Sequence, residues 1–431
     1  MMEVRATWGT RLKWIMRSIL QSRGLRFILA ANVISMLGSG MNAAAVAWHI
    51  LRITHSEIAL GTFAVLQTLP AILLLPFSGV IIDREDRRRL VMMLDLIRAA
   101  IILIVAILAF TDRVVVWELY LMNMLVAAGF WMFWPTISAL IQELTPEEEF
   151  VHANIFLMAG VQGGWLVAGA IVGFVYNKIG LGGVLLIDVS SYLVSFVCYL
   201  AVRKGRHVVP RPAELQADMI AAETALGKFF REMREGWEYL RGRREVVLLG
   251  ISWALFLSAM MTGVVVTPSL SEKVFQKGAV GYGWLNGGWG VGAFLSAFYA
   301  SRFIGRFGAR RAIAISLGVL ALCMISAPTM PLLALAVLLY GLMGSGRGIT
   351  GIAFGTRLME DIPKHYMGRV QNTFYAAGTF LQVLQSYLVG AVAEKNLKAG
   401  FASIGLVYTL GFATAAWPIR GASAAQVEPA D

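Results

Sequence analysis

Apolar residues dominate six long stretches, at 27–51, 58–82, 90–110, 115–141, 151–176 and 181–202, and then six more, at 246–270, 281–304, 312–328, 331–357, 367–393 and 400–419. Runs of this length can cross the roughly 30 Å hydrocarbon core of a bilayer as helices. A helix also satisfies its own backbone hydrogen bonds there. The pattern therefore predicts twelve membrane spans. Residues 203–245 divide them into two sets of six, 27–202 and 246–419. That divider carries Pro210 and Pro212, and then Phe230, Met233, Trp237 and Leu240 at helical spacing among charges. It reads as a cytoplasmic tether with an interfacial helix. Residues 1–26 read as a basic leader, with Trp8, Leu12, Ile15 and Ile19 on one helical face, and 420–431 as a tail. The run at 27–51 is too long for a cleaved signal.

Polar residues punctuate the two sets alike. Between the second and third runs stands Gly79-Val-Ile-Ile-Asp83-Arg84-Glu-Asp-Arg87-Arg88-Arg89. Between the eighth and ninth stands Ser301-Arg-Phe-Ile-Gly305-Arg306-Phe-Gly-Ala-Arg310-Arg311, so that Arg306 answers Arg84, and Arg310 and Arg311 answer Arg88 and Arg89. Pro146 and Asn154 follow the fourth run as Pro363 and Asn372 follow the tenth. Two six-span halves in the same orientation are the repeat plan of one large transporter fold. Ser301 and Gly305 replace Gly79 and Asp83, so the full charged motif occurs once.

Composition agrees with this plan and removes other classes. The chain is 58% hydrophobic and 15% charged, against roughly 25% charged in soluble domains. A net charge of +11 would point to nucleic acid in a soluble protein. Here the Lys and Arg excess falls in alternate loops, which places both termini in the cytoplasm and predicts no nucleic-acid partner. Cys198 and Cys323 lie inside apolar runs, and the five His residues are scattered. Neither a disulfide nor a metal site is expected. With no phosphate-binding loop, uphill work must draw on an ion gradient. No cofactor is expected, and the chain does not read as an enzyme.

The Gly79 to Arg89 loop has a Gly, an Asp four places on, an Arg next and a basic cluster. It is accompanied by Asp95-x-x-Arg98, Ala153-Asn154, Ile187-Asp188-x-x-Ser191-Tyr192 and Gly368-Arg369-Val370. On these residues the sequence resembles the major facilitator superfamily, and within it the bacterial exporters that include the enterobactin exporter and macrolide-efflux proteins. The resemblance implies an all-α membrane protein of twelve transmembrane helices in two pseudo-symmetric six-helix bundles. It further implies export of a siderophore or drug-like compound by alternating access across the bacterial inner membrane, coupled to protons. A lipid or lysolipid transporter of the same fold is the alternative, and a non-transporting membrane receptor or enzyme a more distant one. The expected partners are a small-molecule substrate, protons and the bilayer, with the chain acting as a monomer. Gly79, Asp83, Arg84 and Arg88, echoed by Arg306 and Arg310, are implied to form a latch between the bundles; a simple topology anchor is the alternative. Span five lacks the Gly-Pro pair that many drug/proton antiporters of the superfamily carry.

Inside the spans the ionisable residues are few, and each is costly in hydrocarbon. Asp95 and Arg98 are three apart and can pair. Asp188 can carry a proton, bind a cation or bond a neighbouring helix. Arg347, in Gly344-Ser-Gly346-Arg347-Gly348, suits an anionic or catecholate substrate. Asn32, Asn42, Gln67 and Trp134 are candidate cavity residues, with packing the alternative for each. Glu143 and Glu147 to Glu149 are expected to face Arg87 to Arg89, and Glu360 and Asp361 to face Arg310 and Arg311, with a solvated charge face the alternative.

Overall fold

A computed structural model describes residues 23–145, 147–202, 227, 231 and 234–417. The first set of helices is α1 (Arg23–Thr54), α2 (Glu57–Arg84), α3 (Arg87–Phe110) and α4 (Val116–Leu144). Glu147–Leu200 then forms two helices, α5 and α6, joined at Gly180. The second set is α7 (Arg244–Ser269), α8 (Gly278–Phe307), α9 (Ala309–Ser326), α10 (Leu333–Asp361), α11 (Lys364–Lys395) and α12 (Leu397–Ala416). No strand occurs among the described residues. Nine helices among them are long and apolar enough to cross a membrane, one of these containing the α5–α6 break.

Local chemistry sets the joints. Gly180 has φ +67°, a left-handed conformation that glycine adopts without a Cβ penalty, and it lets α6 restart directly after α5. Ser56, Asp86 and Asn396 cap α2, α3 and α12 by accepting from the backbone N–H of Ala59, Arg89 and Ala399, at 3.3, 3.0 and 3.2 Å. Glu118 of α4 reaches back to the backbone N–H of Val115 at 3.1 Å.

In the first bundle, α1 and α3 pack on the α5–α6 pair, and α4 lies against α2 and α3; in the second, α8 and α9 flank α10 while α7 packs on α11 and α12. The bundles meet through α5 on α8 and α2 on α11. Small residues permit these approaches, as expected where lipid offers no hydrophobic drive between helices. A methyl group at Gly173 of α5 would overlap the Ala279 carbonyl of α8, and one at Gly292 of α8 would overlap the Gly341 carbonyl of α10. Large apolar side chains face outward, Ile104, Phe298 and Leu338 among them. Such a belt suits contact with lipid tails.

Of the central tether, residues 234–240 are helical, with Leu240 buried and Trp237 exposed. This helix docks on the start of α11: Tyr239 stacks on Tyr366 at 4.4 Å, and Glu235 pairs with Arg369 at 3.0 Å. Trp8, Leu12, Ile15, Ile19, Pro210, Pro212, Phe230, Met233 and the tail from 420 lie outside the described residues.

Candidate functional site

The densest buried polar cluster lies within the first bundle, where α1, α3, α4 and α6 meet. Arg98 and Asp95 pair at 2.5 Å one turn apart on α3, both fully buried. Ser195 of α6 donates to the other Asp95 oxygen at 2.7 Å. The Arg98 guanidinium is held between the rings of Phe133, at 4.8 Å, and Tyr192, at 4.4 Å. It also donates to the Leu94 carbonyl at 3.2 Å. Gly129 of α4 makes room for the Arg98 stem, since a Cβ there would crowd its Cδ at 2.9 Å. Desolvated arginine thus receives an anion, a carbonyl and two aromatic faces.

Asp188 of α6 is also fully buried. It accepts from Asn42 of α1 at 2.7 Å and from Ser191 at 3.3 Å. Asn32, about three turns before Asn42 on α1, donates to the hydroxyl of Tyr199 at 3.1 Å. Gly38 brings α1 against α6, where a Cβ would meet Asp188 and Ser191. Asp95, Arg98, Asp188, Asn32 and Asn42 are therefore gathered in one place, inside the first bundle and shielded from solvent.

Arg347 is in the second bundle, half-buried on α10, with its guanidinium 5.0 Å from the ring of Trp289 on α8. Gly344 and Gly348 bring α10 against α8, where a Cβ would meet the Trp289 carbonyl and the Ser296 hydroxyl. Gln67 is half-buried on α2. Its neighbour Thr68 accepts from Gln382 of α11 at 2.7 Å, across the two bundles. Trp134 packs in the first bundle's core beside Phe133. Trp131, one turn away, meets Tyr375 of α11 edge-on at 6.1 Å.

At the basic rim, α2 carries Gly79, Asp83 and Arg84 in its last turns, but their side chains lie outside the described residues, as do those of Glu147 to Glu149. Arg87 pairs with Glu143 at the end of α4. Arg88 and Arg310 play matching parts within their own bundles. Arg88 donates to the Tyr199 and Leu200 carbonyls at the end of α6, at 2.8 and 3.0 Å. Arg310 donates to the Ala415 carbonyl at the end of α12, at 2.9 Å, and to that of Trp417. Each satisfies orphan carbonyls at a negative helix end. In the second half Asp361 does face Arg310, but the close ion pairs are made elsewhere. Glu360 and Asp361 bond instead to Arg357 on their own helix, at 3.3 and 2.9 Å, and Arg357 also reaches Glu245 at 3.8 Å. Arg310 and Asp361 line one shallow crevice with Glu245 and Arg357. Arg306 is exposed, over the ring of Phe307 at 5.6 Å. Arg88→Ala and Arg310→Ala are each expected to lower stability by about 1 kcal/mol, since the bonds are charge-assisted but partly solvated. Thermal melting in detergent checks that the two shifts match.

The opposite rim carries contacts that the sequence did not single out. Trp48 of α1 stacks on Tyr282 of α8 at 6.3 Å, and Phe174 of α5 meets Trp284 of α8 at 5.9 Å. Glu57 of α2 pairs with Lys273, beyond α7, at 2.6 Å. Glu394 of α11 accepts from the Ser56 hydroxyl at 2.8 Å. Glu57 stands in the first turn of a helix, where an acid is ordinary. Nothing in a single sequence tells it from an exposed residue.

Two bundles built on one plan, each closing its own basic end with an arginine and joined at the opposite rim, define a membrane transporter fold. The chain belongs to the Major Facilitator Superfamily, whose family model matches residues 28–386. Members of this superfamily are transporters, not enzymes. The chain is 24% identical to Macrolide efflux protein A of Streptococcus pyogenes over 249 residues, 58% of this chain and 59% of that protein. The match thus spans little more than half that relative's length. It is 23% identical to Multidrug efflux pump Tap of Mycolicibacterium fortuitum over 395 residues, 89% of this chain and 92% of the pump. Among solved structures, a bacterial homologue of the iron transporter ferroportin in an inward-facing state superposes with a TM-score of 0.69 at 16% identity. That superposition covers 91% of this chain and 99% of the homologue.

Proposed function

We propose that the protein is a secondary active transporter that exports a small amphipathic molecule, a siderophore or drug-like compound, in exchange for protons. The observation that carries this reading is the one-sided meeting of the bundles. Among the described residues, an ion pair, a helix cap and two aromatic contacts join the bundles at the rim opposite the basic loops, and the Thr68–Gln382 and Trp131–Tyr375 contacts join them further in. The positive-inside rule assigns the basic rim to the cytoplasm. On that orientation, in the inner membrane of a bacterium, this state is shut toward the outside. The similarity to efflux proteins supports the direction of transport.

Within this scheme Asp95 and Arg98 are a fixed neutral pair and Asp188 is the carboxyl that exchanges a proton. Arg347, beside Trp289, contacts an anionic or aromatic group of the substrate. Gly79, Asp83, Arg84 and Arg306 belong to the latch that engages when the basic rim closes, whereas Arg88 and Arg310 stiffen the bundles that it joins. The chain works as a monomer, each molecule holding both bundles.

Reconstitution into liposomes under an imposed pH gradient, with a panel of siderophores and macrolides, tests the reading. Arg347→Ala is expected to reduce flux by roughly 10- to 100-fold, the loss of one charge-assisted contact. Undiminished flux in the folded variant removes Arg347 from the substrate path.

A further inference from the structure

We propose that Glu57, Lys273 and Glu394 form a reciprocal clasp that holds the rim opposite the basic loops shut, each bundle supplying an acid to the other. The first bundle supplies Glu57, whose Oε1 meets the Lys273 ammonium at 2.6 Å. The second supplies Glu394, whose Oε2 accepts from the Ser56 hydroxyl at 2.8 Å and from the Ile58 backbone N–H at 3.1 Å. Glu394 is therefore an N-terminal cap for α2, brought from the far bundle to the positive end of that helix. Two glycines set the spacing. Cβ atoms at Gly61 and Gly390 would meet the Ser386 and Glu57 carbonyls, so only bare backbone lets α2 and α11 approach this closely.

The burial of Glu57 makes the clasp two-state. Its side chain is fully buried, while Lys273 is 42% exposed. Glu57 Oε2 has no hydrogen-bond partner among the described residues. The closed rim therefore confines a carboxylate whose lost hydration is offset by Lys273 and by the positive end of α2. Parting the bundles returns Glu57 to water and takes the Glu394 carboxylate away from the N-terminus of α2, leaving Ser56 as its cap. Removing Lys273 alone must then penalise the closed state, whereas removing both charges must not. A merely structural surface pair would show no such asymmetry.

This inference rests on the alternating-access reading and is tested by double electron–electron resonance in lipid, with Cys198 and Cys323 replaced by alanine. One spin-label pair, Arg113→Cys with Leu332→Cys, reports on the clasp rim. A second, Arg89→Cys with Arg311→Cys, reports on the basic rim. Lys273→Met is expected to lower the closed-to-open ratio at the clasp rim roughly tenfold, the effect of about 1.4 kcal/mol. Glu57→Gln with Lys273→Met should restore closure, and Glu394→Gln, which keeps the side-chain shape, should open the rim part of the way. Unchanged clasp-rim distances in both Lys273→Met and Glu394→Gln, or a double variant as open as Lys273→Met, would overturn the clasp. If the clasp rim opens while the basic rim fails to narrow, the clasp stands and alternating access falls.

Discussion

Replacing Arg98 with leucine is expected to cost the first bundle about 3–5 kcal/mol, the range seen when one partner of a buried ion pair is removed. The reason is the company Arg98 keeps. Asp95 is fully buried and bonded to Arg98 and Ser195. Without the guanidinium, Ser195 alone would stabilise that carboxylate in a site closed to water. Phe133 and Tyr192 would also lose the group that fills the space between their rings. Asp95→Asn with Arg98→Leu should recover much of the loss, because no buried charge remains. Thermal melting in detergent checks this, and additive losses in the double variant would refute the coupling.

Asp188→Asn should act on transport and leave folding largely intact. The amide keeps the size of the carboxyl, and its oxygen can still accept from Asn42 and Ser191, the two partners of Asp188. What it cannot do is gain and lose a proton. Accumulation driven by a pH gradient is therefore expected to fall to the background of empty liposomes, while exchange of labelled for unlabelled substrate without a gradient continues. Gradient-driven accumulation at the unsubstituted rate would remove Asp188 from the coupling step. The contrast separates the two buried acids: Asp95 is bonded to a cation, and Asp188 is bonded to an amide and a hydroxyl.

Much of the architecture is legible in the sequence because membrane helices announce themselves by length and apolarity. The repeat of Arg88 and Arg89 in Arg310 and Arg311 foretold that the halves match. It did not foretell what Arg88 and Arg310 do, because the carbonyls they bond lie more than a hundred residues away. The Asp95–Arg98 pair was legible, being a contact one helical turn long. The bond of Asp188 to Asn42 spans 146 residues and was not. Locality also explains the misplaced partners of Glu360 and Asp361. Arg357 lies within one turn of both, so Arg310, committed to the end of α12, is not needed. Glu57 and Glu394 escaped notice because each terminates a span, where charge costs little until the other bundle covers it.

Helix α8 is bare on two sides. Gly283 and Gly287 lie against Gly173 and Ala170 of α5, while Gly288 and Gly292 lie against Val337 and Gly341 of α10. Helices that interlock by large side chains must withdraw those knobs before they slide, and so pass through strained rotamers. A rod nearly smooth along both flanks has little to withdraw. Along those glycine faces a neighbour has few side chains to withdraw, so what holds the flanks of α8 is left to the aromatic contacts of Tyr282 and Trp284 and to the polar fastenings at the rim.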